Sequence, residues 1–419
     1  MAKKAYVGVN NVARKTKQIY VGVNGVARKV KKGYIGVNGV AKLFFGNLSL
    51  IKYGVLNGNS NTTNVNRGAS LPNYALFIET SYSTNAIVTY NSSLTSGKQN
   101  ILQSSTNKTI FNNDTHAFVV DSTQFYKIDS SFTKTVSSYV ANYSIRSDAC
   151  GVANESYAIT TGWNNSSSTG YVYTISYTVD TLTGSLMSPS SSPSITNQGG
   201  GSSCPYYDAT SGVIGNYMIF AGGEANYQTT SASGGTVYAY SGGQSVTDVN
   251  AYNSSLTRTK PTGLEGRAEK LASASNKNMM LIGGGWAYLA YQTYNTSSGG
   301  SWSQSRTYIN SVNDFMNMYN TSLTRTLMSG NSLSTARCDL SGINLGDYFI
   351  FSGGDTSTPT AYSSNPVVTT DIYDTSLTHR HDSSTDLVNT RINAGAATVG
   401  TYGIICGGGS NIPEVYAIN

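Results

Sequence analysis

Tyr348-Phe349-Ile350-Phe351-Ser352-Gly353-Gly354, followed by Tyr373-Asp374-Thr375-Ser376-Leu377-Thr378, holds in two pieces the pattern that decides the fold. The first piece is a short aromatic and aliphatic run closed by a glycine doublet. Such a run, bounded by turn residues, reads as a buried strand. The second piece is the end of another strand, a polar tight turn, and a Leu that returns to the core.

Both pieces recur along the chain. The turn piece reads Tyr90-Asn91-Ser92-Ser93-Leu94-Thr95, Tyr252-Asn253-Ser254-Ser255-Leu256-Thr257 and Tyr319-Asn320-Thr321-Ser322-Leu323-Thr324. Degenerate copies run from Tyr126 to Thr133 and from Tyr177 to Thr183. Apolar runs ending in glycines stand at Tyr217 to Gly223, Met279 to Gly285 and Tyr402 to Gly409, with degenerate versions at Tyr74 to Glu79, Ala117 to Val120 and Tyr157 to Gly162. With the opening example, the apolar run occurs seven times in alternation with the turn piece.

An apolar strand ending in Gly-Gly, then a strand ending in Tyr-Asp or Tyr-Asn, resembles the kelch motif. The resemblance covers residues 47–419, about 53 residues per repeat against a kelch spacing of about 50. A regular Trp later in the blade is missing, and three of the seven copies lack the glycine doublet. The resemblance implies an all-β, seven-bladed kelch-like propeller. It also implies that Arg267, Arg337 and Arg391, which precede different blades, each tie an inner strand to a neighbouring turn. A triad of these arginines gripping an anion in the central channel is the less favoured alternative.

The seventh copy stops at Glu414-Val415-Tyr416-Ala417-Ile418-Asn419, before its turn and outer strand. Asn47-Leu48-Ser49-Leu50-Ile51-Lys52-Tyr53 mimics the missing part, as comparison with Ser254 to Lys260 shows. The N-terminal strand is therefore expected to be the outer strand of the last blade, closing the ring and removing exposed edges. Antiparallel strands send successive connections to alternate faces. The connections between second and third strands are long and read as irregular: about 163–170, 224–235, 286–311 and 355–365. All three tryptophans fall there. This scheme places a loop-rich aromatic face opposite the face that the N-terminal segment enters.

Residues 1–46 are different. Tyr6, Tyr20 and Tyr34, spaced by 14, each open a copy of Tyr-Val/Ile-Gly-Val-Asn-Gly/Asn-Val-Ala-Arg/Lys. Asn24-Gly25 and Asn38-Gly39 between apolar runs predict β-hairpins, because a type I′ turn needs positive φ at both positions. Ten of the chain's 27 Lys/Arg and none of its 21 Asp/Glu lie in this segment, leaving 17 basic against 21 acidic residues beyond it. A composition break therefore falls near Gly46, dividing a basic docking segment, 1–46, from the propeller, 47–419. Arg14, Lys15, Lys17, Arg28, Lys29, Lys31 and Lys32 are the candidates for docking on an acidic partner subunit. They alternate poorly with aromatics and match no nucleic-acid reader motif, so nucleic acid is not the expected partner.

Only 11% of residues are charged, against about 25% in ordinary soluble domains. No apolar run approaches the roughly 20 residues of a membrane helix. Tyr is abundant at 31 residues, which disorder disfavours. The basic start lacks an apolar stretch long enough for a signal peptide. Cys150, Cys204, Cys338 and Cys406 are widely separated, so free packing thiols are expected rather than a zinc site.

Three histidines, His116, His379 and His381, give catalysis little to work with. His379-Arg380-His381 follows a turn and reads as an exposed outer strand. No Asp/Glu spacing singles out a glycosidase pair. No enzyme activity, metal or cofactor is expected. The aromatic connections are the better candidates, because Trp and Tyr stack on sugars and dominate interfaces. The candidate ligand-binding residues are Trp163, Tyr227, Trp286, Tyr288, Tyr291, Tyr294 and Trp302.

The 14-residue repeats resemble N-terminal segments of tail proteins from phages and prophages of Gram-positive bacteria. That resemblance implies a virion protein that docks on other tail subunits through 1–46 and meets a bacterial surface glycan or protein through its loop face. It implies an oligomer in the assembled particle and no membrane insertion. A purely structural decoration subunit and a glycan-cleaving propeller are the rival expectations.

Overall fold

The computed structural model describes residues 6–9, 12–15, 20–23, 26–29, 33–37, 40–45, 50–56, 65–79, 86–102, 108–121, 124–138, 150–164, 171–187, 208–226, 236–239, 243–296, 302–358 and 364–418. The chain separates into two compact units, Met1–Ile51 with Ala417–Asn419, and Lys52–Tyr416.

Seven four-stranded antiparallel sheets form the blades of a β-propeller. Blade one is Val65–Leu71, Tyr74–Glu79, Ile87–Asn91 and Ser96–Gln99. Blade two is Lys108–Asn112, Ala117–Asp121, Gln124–Ile128 and Lys134–Val136. Blade three is Gly151–Ala153, Tyr157–Asn164, Tyr171–Thr178 and Gly184–Met187. Blade four is Thr210–Ile214, Tyr217–Ala221, Val249–Tyr252 and Arg258–Thr259. Blade five is Ala272–Ser275, Met279–Gly283, Met316–Asn320 and Arg325–Leu327. Blade six is Ser341–Leu345, Tyr348–Ser352, Thr370–Asp374 and His379–His381. Blade seven is Gly395–Val399, Tyr402–Gly407, Ser410–Ile418 and, as its fourth strand, Leu50–Val55.

The closure expected from the sequence is thus present. Within the larger unit, Leu56 donates its N–H to the Pro413 carbonyl at 2.9 Å, and Lys52 Nζ lies 2.8 Å from the fully buried Glu414 carboxylate. Blades seven and one also meet along their inner strands. A Cβ on Gly68 would lie 2.5 Å from the Ala396 carbonyl oxygen, so this approach needs glycine.

Burial follows strand position. Second strands are buried on both faces, as Phe349 to Ser352 are, which is why they read as continuous apolar runs. Inner strands alternate, as in Ser341–Leu345 and Gly395–Val399, with one face on the packed core and one on the central cavity. Outer strands such as His379–His381 are half-buried to exposed.

The glycine doublets are the junctions between blades. The N–H of Gly223, Gly285 and Gly354 donates to Ala268, Arg337 and Arg391 of the following blade at 2.8–2.9 Å. Gly284 has φ +68°, and a Cβ there would lie 2.6 Å from the Arg337 carbonyl oxygen. Only glycine tolerates both conditions.

The turn piece has one fixed geometry. Asn91, Asp129, Asn253, Asn320 and Asp374 each accept two backbone N–H bonds of 2.8–3.0 Å with a single side-chain oxygen. Thr178 Oγ1 takes a similar part in blade three. The apolar residue that follows, Leu94, Phe132, Leu182, Leu256, Leu323 or Leu377, has φ between +53° and +62°. The left-handed region is costly for a branched side chain. Burial offsets the cost: each of these side chains packs into or against an apolar core cluster.

Two of the three arginines tie the segment before an inner strand in place, but to the second and third strands of their own blade rather than to a neighbouring turn. Arg337 is fully buried and bonds Asp371 at 2.7 Å and the Phe351 carbonyl at 3.2 Å. Arg391 is 1% exposed and bonds Glu414 at 3.1 Å, the Gly407 carbonyl at 2.6 Å and the Ile412 carbonyl. Both sit inside their blades and neither lines the central cavity, which removes the anion-gripping triad. Arg267 is a correction. It is exposed and donates to the Ser245 carbonyl at 3.0 Å, while Ala268 takes the buried position. Blade five compensates for the lost cation, because Asn317 stands where blade six has Asp371.

In the smaller unit each repeat is a two-stranded antiparallel hairpin: Tyr6–Val9 with Val12–Lys15, Tyr20–Val23 with Val26–Lys29, and Gly33–Val37 with Val40–Phe45. Asn24-Gly25 and Asn38-Gly39 lie outside the described residues. Arg14, Lys15, Arg28 and Lys29 end the second strands of the first two hairpins. Lys17, Lys31 and Lys32 lie outside the described residues.

Candidate functional site

Among the described residues, the connection at 286–311, expected to be irregular, is strand throughout. Between the second and third strands of blade five runs a long hairpin, Trp286–Thr296 with Trp302–Val312, paired over its whole length. The corresponding connection of blade four adds Thr236–Ala239 to its edge, making a three-stranded sheet. A second pair, Glu224–Asn226 with Gly243–Ser245, roots the blade-four insertion. The two insertions are stitched where Ser245 Oγ accepts from Tyr288 N at 2.8 Å and donates to Tyr288 O at 3.0 Å.

This ribbon redistributes the candidate ligand-binding residues. Trp286, Tyr288, Tyr294 and Trp302 share one register parity, with Trp302 opposite Thr296 and Tyr294 opposite Gln304. Directly paired positions lie on one face of an antiparallel ladder, so these four residues share a face. Tyr291 is on the other. Trp163 is a strand residue of blade three, opposite Val172, and is not part of this ribbon. Tyr227 lies outside the described residues, as do the side chains of Trp163, Tyr291, Tyr294 and Trp302. Trp286 is half-buried, its indole N–H bonds Asn310 Oδ1 at 2.7 Å, and its ring lies 4.9 Å from that of Tyr288.

At the root of the ribbon the Trp286 backbone pairs with Glu269: Trp286 N donates to Glu269 O at 2.8 Å, and Glu269 N to Trp286 O at 3.0 Å. The Glu269 carboxyl is 1% exposed. Burial, then the charges of Glu224 and Asp208, push its pKa up to about 9. Asp208, Glu224 and Glu269 bring carboxylate oxygens within 4.8 Å of one another. They are scattered over more than sixty residues with no recurring spacing, so sequence reading passed over them.

The inner strands surround a cavity of about 1170 Å³ whose lining is about half Ser, Thr, Asn and Gly. Its charged lining residues are Arg67, Asp208, Lys270 and Asp339, beside Asn393, and also Asp114, Glu155 and Lys277. Asp208, Lys270, Asp339 and Asn393 all have φ of +52° to +55°. Their backbones form a chain around the rim: Lys270 N donates to Asp208 O at 3.0 Å, Asp339 N to Lys270 O at 3.0 Å, and Asn393 N to Asp339 O at 2.6 Å. Burial raises the Asp339 pKa, against the opposing charges of Lys270 and Arg67.

His379 and His381 lie on an outer strand, as expected, each against a carboxylate: His379 with Asp371 at 2.7 Å and His381 with Asp386 at 3.2 Å. Cys338 and Cys406 are buried free thiols and Cys150 is a half-buried one; Cys204 lies outside the described residues.

No family model matches the chain, and no curated protein does. Among solved structures, that of YjhT is similar, with 10% identity and a TM-score of 0.47, over 78% of this chain and 99% of its own.

Proposed function

We propose that this chain is a non-enzymatic attachment protein of a phage virion, built on a kelch-type propeller. In this reading the basic hairpins of residues 1–46 dock on tail or baseplate subunits, and the ribbon of blades four and five meets a glycan or protein on the bacterial surface. The observation that carries the reading is the ribbon register, which gathers Trp286, Tyr288, Tyr294 and Trp302 on one face. Aromatic rings on a rigid support bury much area with few rotors to freeze, which suits sugar stacking and interface hot spots. Cross-strand pairing and the Ser245–Tyr288 bonds hold the ribbon root. The kelch assignment is supported by the glycine doublets at blade junctions and by buried Arg337 and Arg391. The virion assignment rests on the wording of the N-terminal repeats.

The test is binding of the intact protein to a glycan array and to a panel of Gram-positive cells. Saturable binding that is lost in Trp286→Ala and Trp302→Ala supports the attachment role. Absence of binding by the wild type to every strain and glycan sinks it in favour of a structural decoration subunit. Release of soluble product from cell-wall polysaccharide would replace it with the glycan-cleaving reading.

A further inference from the structure

Asp208, Glu224 and Glu269 meet at the junction of blades four and five. Asp208 stands two residues before the inner strand of blade four, and Glu224 opens the blade-four insertion. Glu269 stands three residues before the inner strand of blade five, its backbone held by Trp286. One carboxylate oxygen from each residue lies within 4.8 Å of the others. Glu269 is 1% exposed, and neither of its carboxylate oxygens receives a hydrogen bond from an N–H or hydroxyl donor; what stands at hydrogen-bond distance is the Glu224 carboxyl, itself an acceptor unless a proton is shared. A buried polar group without a partner is costly, and a buried anion more so. Such a carboxyl holds either a proton or a cation.

Three carboxylates converging on one point favour a shared cation, because a single proton neutralises only one of them. A neighbouring ammonium, Lys270, is shared: its Nζ lies 3.9 Å from Asp339, and both Asp208 and Glu269 also act on it. Lys270 is thus drawn toward Asp208, Glu269 and Asp339 together. The donor set is all carboxylate oxygen, which selects hard cations over zinc or copper. Calcium binds oxygen at about 2.3–2.6 Å, so two oxygens on opposite sides of one ion lie about 4.6–5.2 Å apart. Oxygens that all lie within 4.8 Å of one another are close enough to share one such ion.

We propose that Asp208, Glu224 and Glu269 bind one hard divalent cation, with Ca²⁺ the best match to the donor set. The ion ties the inner strand of blade four, the blade-four insertion and, through the Glu269–Trp286 pairing, the root of the ribbon. It is independent of what the ribbon binds.

The experiment is thermal unfolding of the full chain in EGTA, then with CaCl₂ or MgCl₂ added, for the wild type, Glu269→Gln and Asp208→Asn. The expected result is a rise of several degrees in wild-type Tm with either ion, reversed by chelator and absent in both variants, whose circular dichroism stays native. No shift in the wild type with either ion overturns the proposal and leaves Glu269 as a buried acid. A full shift retained by Glu269→Gln overturns it equally. Should a variant fail to fold, Tb³⁺ luminescence excited through tryptophan in the wild type decides. Saturable emission displaced by Ca²⁺ supports the site, and absent or non-saturable emission contradicts it.

Discussion

Arg337 and Arg391 are the two largest fully buried side chains among the described residues, and each is balanced by one carboxylate on the third strand of its own blade. Removing one partner of a buried pair leaves an uncompensated charge, at a cost of about 3–5 kcal/mol. Asp371→Asn is expected to lose about that much, measured by denaturant unfolding. Blade five already contains the matched solution, Ala268 with Asn317. The double variant Arg337→Ala with Asp371→Asn is therefore expected to be more stable than Asp371→Asn alone. Burial would raise the Asp371 pKa, but the His379 hydrogen bond and the Arg337 guanidinium hold it at about 2. A depressed carboxyl contributes its stability above its unfolded pKa and loses it as pH falls through the folded one. The contribution of Asp371 is thus expected to persist down to about pH 4 and vanish by about pH 2. The wild type should lose Tm more steeply over that window than the double variant. At this scale the sequence was legible only in part. Arg337 and Arg391 keep one spacing from their inner strands, two residues before Asp339 and Asn393. Arg267 misses it by one residue, and one residue of slip in a connecting segment separates the core from solvent.

The elements most legible in the sequence are those buried on both sides. Second strands announce themselves because most of their positions are buried and apolar. The turns do so because an Asx oxygen, a left-handed Leu and a returning strand leave few alternatives. Asn320→Ala removes two backbone acceptor bonds, at 3.0 Å each, and is expected to cost about 1–2 kcal/mol, read as a lower Tm with an unchanged circular dichroism spectrum. Asn320→Asp, which keeps the acceptor as blade six does, should cost much less. The ribbon was illegible for the converse reason. Trp286 to Thr296 mixes aromatic and polar residues with no strict apolar alternation, so it read as loop. Its pairing with Thr236–Ala239 joins segments some fifty residues apart in sequence, which no local signal records. The candidate residues Trp286, Tyr288, Tyr294 and Trp302 were visible as aromatics; their shared face was not.

At the scale of the whole molecule, closure depends on a strand from the far end of the chain. Leu50–Val55 completes blade seven, and Lys52 supplies a cation to buried Glu414, whose carboxylate otherwise serves Arg391 and the backbone of Val388 and Asn389. Truncation before Asn47 is expected to leave the melting temperature of the propeller near its wild-type value. Truncation before Asn57 removes the strand, exposes an edge and leaves Glu414 short of a partner, so Tm should fall sharply and aggregation should rise. The measurement that bears most directly on attachment is the binding of purified full-length protein to a panel of intact Gram-positive cells. It is run for the wild type and for Trp286→Ala with Trp302→Ala, with folding checked by Tm. The account predicts saturable binding to some strains by the wild type and at least a tenfold loss in the double variant. Equal binding by both proteins, or no binding by the wild type to any strain, would contradict it.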